Sequence, residues 1–417
     1  MILGYIILFI SLFLLDLYLF RPVKFLFENS KFKKLIFLGF WTIDFAFVLF
    51  CIIYSIIIKN SGKPDYVQYR NFFTIFGAFI LIAFPKLLFT IFSVINDLLI
   101  LTNLIFRNNY SKPAVISKRV GVRKKRFNLI LKTGLYASLI FLGFLIYGII
   151  IGRYDFTVEK VSITSPKVPK SFDGFKIVQI SDLHLGSFTD KDDVLKGIKI
   201  INNQKPDIIV ITGDLVNNEA IEAEIMIPVL KQMNSKYGKF AILGNHDMGD
   251  YRRWYTIKDK IENLDRIRNV YKRIGFKLLE NESQFIKIKS DSICISGVLS
   301  WGLPPFKKYG DINKTLKNVN ILTPKILLSH DPSHWEAEVL PKSNVLLTLS
   351  GHTHAMQFAI NFAGIKWCPV SIKYPHWSGL YEENNRYLYV NRGFGYLGFP
   401  GRIGTAPEIT VITLKNK

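Results

Sequence analysis

Before residue 152 the chain carries four long apolar stretches, at 2–20, 35–58, 72–106 and 129–151. A helix needs about 20 predominantly apolar residues to cross the hydrocarbon of a bilayer, and each stretch is about that long. Residues 1–152 are therefore expected to form a membrane domain of about four transmembrane helices. The third stretch is interrupted by Pro85-Lys86 and by Asp97. It reads either as one long kinked helix running past the interface or as a span followed by an amphipathic segment. The first stretch lacks a basic leader and a small-residue cleavage site, so a removable signal peptide is not expected. Asp16, Asp44 and Asp97 fall inside these stretches, where a carboxylate is by default a functional candidate. Their closeness to helix ends favours a blander expectation, that they reach water.

The formal charge of +22 invites a nucleic-acid reading, but much of the Lys and Arg lies between the apolar stretches, where a membrane surface explains it better. Base readout needs a basic, aromatic-studded face, and none is recognisable, so nucleic acid is not expected as a partner. Arg21, Lys24, Lys31, Lys33 and Lys34 occupy the first loop and KPAVISKRVGVRKKR the third, whereas the second holds only Lys59, Lys63 and Arg70. The positive-inside rule then places the first and third loops in the cytoplasm and everything after the fourth stretch outside. With only Cys51, Cys294 and Cys368, there is neither a C-x-x-C motif nor a disulfide framework.

After about Tyr154 the composition changes. A 417-residue chain with 49% hydrophobic residues divides naturally into unlike parts, here the membrane domain, a Pro-containing linker over 153–174, and a soluble domain over 175–417. FKIVQI, DIIVIT, KFAIL, ICISGV, KILLS, NVLLTL, YLYVN and ITVITL are short Val/Ile-rich runs that read as buried strands. Helical patterns lie between several of them, as in VLKGIKIINNQ and in 219–233. Mixed strands and helices predict an α/β sandwich.

The polar clusters fall just past strand ends: SDLHLG after FKIVQI, GDLVNN after DIIVIT, GNHDMGD after KFAIL, HDPSHW after KILLS, and SGHTHAMQF after NVLLTL. The crevice at the carboxyl ends of strands is where an open α/β sheet binds ligands, so five distant regions can converge there. Asp182, His184, Asp214, Asn245, His246, His330, His352 and His354 then form a nitrogen and oxygen set without thiolate. Such a set suits first-row divalent ions such as Mn, Fe or Zn and argues against a Cys-rich structural zinc site. Taken singly, Asp182 or Asp214 reads as a helix cap and His330 as a core histidine. Taken together they are too many for one ion, and they fit two ions bridged by a carboxylate, an arrangement suited to phosphoester hydrolysis.

In this order, D-x-H, G-D, G-N-H-D, a later His and G-H-x-H resemble the calcineurin-like metallophosphoesterases, over about 175–414. The resemblance implies an α-β-β-α sandwich and two divalent ions. Asp182, His184, Asp214 and His354 would hold the first ion, and Asp214, Asn245, His330 and His352 the second, with Asp214 as the bridge. It implies that His246 binds a phosphate oxygen or protonates the leaving alkoxide, with Asp247 orienting it. His352 and His354 would stand one residue apart so that one turn serves both ions, with Thr353 pointing elsewhere and Gly351 permitting a sharp bend.

VNRGFGYLGFPGRIGTAPEITVITL resembles the membrane-associated bacterial branch of this family, whose relatives include one type of UDP-2,3-diacylglucosamine pyrophosphohydrolase. That branch commonly reads GHTHGGQ, and this chain has Ala355-Met356 before Gln357, giving a bulkier and more apolar wall. Arg392, Arg402 and Gln357 are expected substrate contacts. Trp301, Phe358, Trp377 and Tyr396 line a pocket or, as the better expectation, pack in the core. The implied protein is a metal-dependent hydrolase of the bacterial inner membrane with a periplasmic catalytic domain. Its substrate would be a lipid-linked or membrane-proximal phosphate or pyrophosphate such as UDP-2,3-diacylglucosamine. The alternatives are a general phosphodiesterase or phosphatase acting on nucleotides or proteins, and a non-catalytic metal-binding membrane sensor.

Overall fold

The computed structural model of the chain describes residues 2–60, 65–105, 116–362 and 364–417. These form two compact units, Met1–Tyr147 and Gly148–Lys417.

The first unit is helical: α1 (Ile2–Phe27), α2 (Lys33–Asn60), α3 (Asp65–Ile105) and α4 (Ile116–Ile150). Among the described residues, three segments are long and apolar enough to cross a membrane: Lys33–Ile57, Tyr66–Thr102 and Asn128–Tyr154. Helix α1 is 26 residues long, and side chains at its start lie outside the described set. Large apolar side chains such as Leu35, Leu38, Phe45 and Ile56 face outward, while Asp16, Asp44, Ser93, Asn96 and Ser138 are buried. That inversion suits a lipid solvent, in which apolar groups are at home outside and polar groups need partners within. Helix α3 runs without a break through Pro85, which selects the long-helix alternative. At 1.5 Å per residue it is roughly 60 Å long, about twice the hydrocarbon thickness. The expectation that Asp16 and Asp44 reach water is overturned: both are buried and both bind Lys86 Nζ. A mid-helix carboxylate in an apolar bundle finds an internal cation rather than solvent.

In the second unit, one six-stranded sheet runs in the order β1 (Thr157–Ser165), β14 (Glu408–Asn416), β2 (Lys176–Ile180), β3 (Ile208–Ile211), β4 (Lys239–Ala241), β5 (Lys277–Leu278). The other runs β12 (Gly379–Glu383), β13 (Arg386–Val390), β9 (Leu347–Ser350), β8 (Lys325–Leu328), β7 (Asp291–Gly297), β6 (Glu282–Ile288). A hairpin of β10 (Ile360–Phe362) and β11 (Ile365–Trp367) stands apart from both. Strands β2, β3, β4 and β5 are mutually parallel, as are β7, β8, β9 and β13. Parallel neighbours send their carboxyl ends to the same edge.

Three cores explain the layering. Ile177, Ile208 and Val210 of the first sheet join Ile295, Ile326, Leu328 and Leu347 of the second in one buried cluster between the sheets. Val178, Ile209 and Ile211, one residue out of phase, face Val194, Ile198 and Ile201 of α5 (Lys191–Asn203) on the outside. Trp335 and Val339 cover the outer face of the second sheet with Leu327 and Leu388. Strands buried on both faces have no polar face to alternate with, which is why IIVI is wholly apolar. Helix α5 buries Val194, Gly197, Ile198 and Ile201, a helical stripe, and starts at Asp190, which accepts from Asp192 N. The 219–233 stretch divides into α6 (Ala220–Glu224) and α7 (Ile227–Leu230), where Pro228 occupies the first turn of the second helix.

The linker expected over 153–174 is corrected. Strand β1 pairs in parallel along its whole length with β14, from Thr157 opposite Glu408 to Ser165 opposite Asn416, and buries Ile163. Its Ser, Thr and Lys content reflects an edge position with one face to solvent, not a tether.

Candidate dimetal centre

Each ligand-bearing turn leaves the end of a strand. Asp182 and His184 follow β2, Asp214 follows β3, Asn245 and His246 follow β4, His330 follows β8, and His352 and His354 follow β9. The turns are tight: Asp182, His184, Asp214, His352 and His354 all have positive φ, between 44° and 71°. This left-handed backbone costs a side-chain-bearing residue about 1–3 kcal/mol, and such strain gathers where surrounding structure imposes a functional geometry. Gly351 does not have positive φ, so the expected bend is not its role. A Cβ there would lie 1.9 Å from Ser181 Oγ and 2.2 Å from Asp182 Oδ2, so glycine is required for close approach of two turns. Thr353 points away, donating to Trp377 O at 2.7 Å.

The side chains converge as two adjacent groups. Ligand atoms of Asp182, His184 and His354 lie within 4.8 Å of one another, as do those of Asp214, His330 and His352. A third group, His184, Asp214 and His246, connects them. His354 Nε2 is 3.1 Å from Asp182 Oδ1, and His330 Nε2 is 3.1 Å from Asp214 Oδ2. Asn245 Oδ1 stands 2.9 Å from His352 Nδ1. Backbone and amide partners fix the rings: His184 Nδ1 meets Asn217 Oδ1 at 3.0 Å, and His330 Nδ1 meets Thr212 O at 2.7 Å. Both leave Nε2 directed inward, the arrangement that outer hydrogen bonds give to metal-binding imidazoles.

Two features fit cations here. His184 Nε2 and His354 Nε2 face each other at 3.0 Å in a buried setting, and with His184 Nδ1 donating to Asn217 Oδ1 the His184 Nε2 lone pair points into the site, where a cation can take it. His330 Nε2 is buried and faces Asp214 Oδ2 at 3.1 Å without forming an aligned hydrogen bond, so its lone pair is open to an ion between them. The local field favours positive charge beside the two carboxylates. Burial by itself raises Asp182 and Asp214, but the surrounding imidazoles, His354 and His330 for the first and His330 and His246 for the second, hold both well below the usual carboxylate range. Burial lowers His184 and His352, keeping imidazole lone pairs available. Burial also opposes the charge on His330, yet Asp214 outweighs it and pulls that ring up to about 10.

His246 is only partly exposed, stacks on Tyr251 with ring centroids 4.3 Å apart, and has Nδ1 2.8 Å from Asn217 O. The expected orienting role of Asp247 is therefore corrected. Its carboxylate accepts from the N–H groups of Leu215, Val216 and Gly244, tying two ligand turns together, and burial followed by the Asp214 charge pushes it up to about 7. The expected phosphate contacts are corrected likewise. Arg392 is engaged by Glu408 and Glu159. Arg402 is buried and donates to Arg392 O, Gly393 O and Gly395 O, while burial and the Arg392 charge lower it to about 9. Gln357 donates to Phe399 O and Gly401 O and accepts from Leu397 N. Desolvated polar groups inside an irregular C-terminal segment are used up by the backbone around them. Trp301, Trp377 and Tyr396 are buried, as the better expectation had it.

Sequence reading missed Asn217, Asp331, Tyr251 and Tyr374. Tyr374 Oη is 3.0 Å from His352 Nε2 and 3.4 Å from Asp331 Oδ2, and Tyr251 Oη accepts from Asn245 Nδ2 at 2.9 Å. Asn217 and Asp331 lie in blocks already marked, GDLVNN and HDPSHW, so position alone offered a signal. Tyr374 follows no strand end and offered none.

Residues 175–356 match the family described as "Calcineurin-like phosphoesterase", and residues 1–153 match "Probable Calcineurin-like phosphoesterase, transmembrane domain". A metallophosphoesterase of Bacillus subtilis is 35% identical over 264 residues, covering 61% of this chain and 84% of that protein. A Helicobacter pylori metallophosphoesterase is 27% identical over 406 residues, covering 95% of this chain and 98% of its own. A bovine protein described as "Transmembrane protein with metallophosphoesterase domain" is 30% identical, covering 62% of this chain and 57% of its own. With its strand-end ligand turns and apolar N-terminal helices, this chain belongs to the calcineurin-like metallophosphoesterases, as a membrane-associated hydrolase of phosphoester bonds.

Proposed function

We propose that the chain hydrolyses a lipid-linked or membrane-proximal phosphate or pyrophosphate, of which UDP-2,3-diacylglucosamine is one candidate, outside the cytoplasmic face of a bacterial inner membrane. The observation that carries the hydrolytic part is the two candidate groups, Asp182/His184/His354 and Asp214/His330/His352, joined by a third that shares His184 with the first and Asp214 with the second. Asp182, His184, Asp214 and His354 would hold one divalent ion, and Asp214, Asn245, His330 and His352 the other. Mn, Fe or Zn bound there supplies an acidified water and electrophilic stabilisation of phosphoryl oxygens. The protein's own part is positional. With Nδ1 fixed on Asn217 O, His246 has Nε2 free to hold or release a proton toward an ester oxygen. Tyr251 keeps that ring from turning by stacking on it. Asp247 sets the relation between the 214 and 244 turns on which both depend. Membrane-spanning helices in the same chain support a substrate that is itself confined to the bilayer surface.

The full chain, stripped of metal and reloaded separately with Mn, Fe or Zn, is assayed on mono- and diester phosphates, UDP-2,3-diacylglucosamine and lipid pyrophosphates. The expected result is metal-dependent cleavage favouring lipid pyrophosphates, with a loss of roughly 100-fold or more in kcat for His246→Ala while metal content is retained. Preference for soluble nucleotides or phosphopeptides overturns the lipid assignment, and inertness toward every phosphoester with every metal overturns the hydrolase. Sidedness is read separately. The native cysteines are buried, so a Lys191→Cys variant is the accessible thiol for an impermeant reagent. Labelling of intact cells is expected, and labelling only after lysis reverses the orientation.

A further inference from the structure

Three charged side chains meet inside the membrane unit. Asp16 of α1 and Asp44 of α2 both accept from Lys86 Nζ of α3, at 2.8 and 2.6 Å. Asp16 is 1% exposed and Asp44 3%. Each residue lies near the middle of its helix. The ammonium also stands 5.3 Å from the Phe40 ring, and Leu15, Phe40 and Phe89 belong to the apolar cluster packed through these helices.

The charges do not balance. Two carboxylates and one ammonium leave a surplus negative charge, and among the described residues Lys86 is the cation paired with both. Other titratable groups are placed elsewhere. Tyr18 of α1 donates to Asp97 of α3 at 3.1 Å as a separate pair, and Arg21 and Lys24 follow toward the end of α1. Lys33, Lys34 and Lys59 fall at the ends of α2, Asp65 and Arg70 at the start of α3, and Lys132 of α4 is exposed. A second observation points to what is lacking. Asp44 Oδ1 is buried with no hydrogen-bond partner among the described residues, although Oδ2 of the same carboxylate is bound to Lys86. An anionic oxygen in that position is costly unless something positive occupies it. A metal ion needs about six oxygen ligands and is poorly served beside a competing ammonium. A proton needs one.

We infer that Asp16, Asp44 and Lys86 form a proton-binding site in the membrane unit, separate from the hydrolytic centre. One exchangeable proton passes from water to the Asp16 and Asp44 carboxylate pair, leaving one neutral carboxylic acid and one carboxylate as the counter-ion of protonated Lys86. Release of that proton to water restores the anionic cluster, and no other bond is made or broken.

The test is infrared difference spectroscopy of the full chain in lipid vesicles, following the carbonyl band of protonated carboxyl groups in light and heavy water. Buried Glu222 and Asp247 contribute to the same region, so the readout is the part of the band that changes in membrane-unit variants. The wild-type protein is expected to show a solvent-exchangeable acid band that Asp44→Asn removes and Asp44→Glu shifts. Asp16→Asn is expected to remove it as well, since a single remaining carboxylate balances Lys86. Helix content by circular dichroism reports whether each variant is folded, and Asp44→Glu keeps the test available where Asp44→Asn does not fold. A carbonyl region identical in wild type, Asp44→Asn and Asp44→Glu overturns the proposal. So does a band that is lost in Asp44→Asn yet fails to shift in heavy water. Hydrolysis is not the readout, so failure here and failure of the proposed hydrolytic function are distinguishable.

Discussion

Glu222 has its carboxylate entirely out of water, where it accepts from the N–H groups of Asn217, Asn218 and Glu219. Through Asn217 it steadies two imidazoles at once, since that residue's side chain holds His184 and its carbonyl holds His246. Burial pushes Glu222 from 4.5 up to about 7, against the opposing effect of the three N–H groups. A raised carboxyl favours folding in its protonated form, so its contribution is complete below about 4.5 and is lost as pH rises to about 7. The shift corresponds to about 3 kcal/mol between these limits. Glu222→Gln is therefore expected to flatten the pH dependence of thermal stability, with wild type gaining on the variant at acid pH and losing to it at alkaline pH. Parallel profiles in a thermal melt series would refute it. At this scale the sequence marked the residues that the structure brings together, because each belongs to a short block at a strand end. It concealed the settings of Arg392, Arg402 and Gln357, because their partners are distant in sequence or are backbone carbonyls that no residue type announces.

Among the elements, β1 shows how a strand escapes notice. TVEKVSITS has few apolar residues and is followed by Pro166 and Pro169, and only its pairing with β14 makes it part of the sheet. The eight strands recognised beforehand are apolar runs, all of them interior to their sheets. Strands β6 and β12 at the sheet edge and the β10–β11 hairpin, like β1, have a face or an edge in solvent and so lack that signal. Ile163 separates a strand from a tether, because it is fully buried in the cluster between the sheets. Ile163→Ala is expected to destabilise the second unit by about 3 kcal/mol, the scale of a buried Ile truncation, while Lys160→Ala at the exposed face changes little. Equal melting temperatures for the two variants would mean that β1 contributes no core.

Across the whole molecule, the two units answer to different solvents. The membrane unit places Asp16 and Asp44 inside and large apolar side chains outside, with Lys86 paired to both carboxylates. The second unit is built around buried sheets, yet carries five candidate ligand residues in left-handed backbone and two imidazoles that face each other across the candidate centre. Ions that bind this folded centre and not the unfolded chain stabilise it by mass action, by about 4 kcal/mol when free metal is a thousandfold above Kd. For a domain of this size that corresponds to a shift on the order of 10 °C. Trp254, Trp301, Trp335, Trp367 and Trp377 all lie in the second unit and only Trp41 in the first, so tryptophan fluorescence chiefly follows the metal-binding part. A chelator is expected to lower that transition by such an amount and returned Mn to restore it. An Asp182→Asn, Asp214→Asn double variant is expected to melt at one temperature with or without chelator. A wild-type transition indifferent to chelation would show that the strained turns are held by packing alone, because a ligand with no preference for the folded state cannot move its stability.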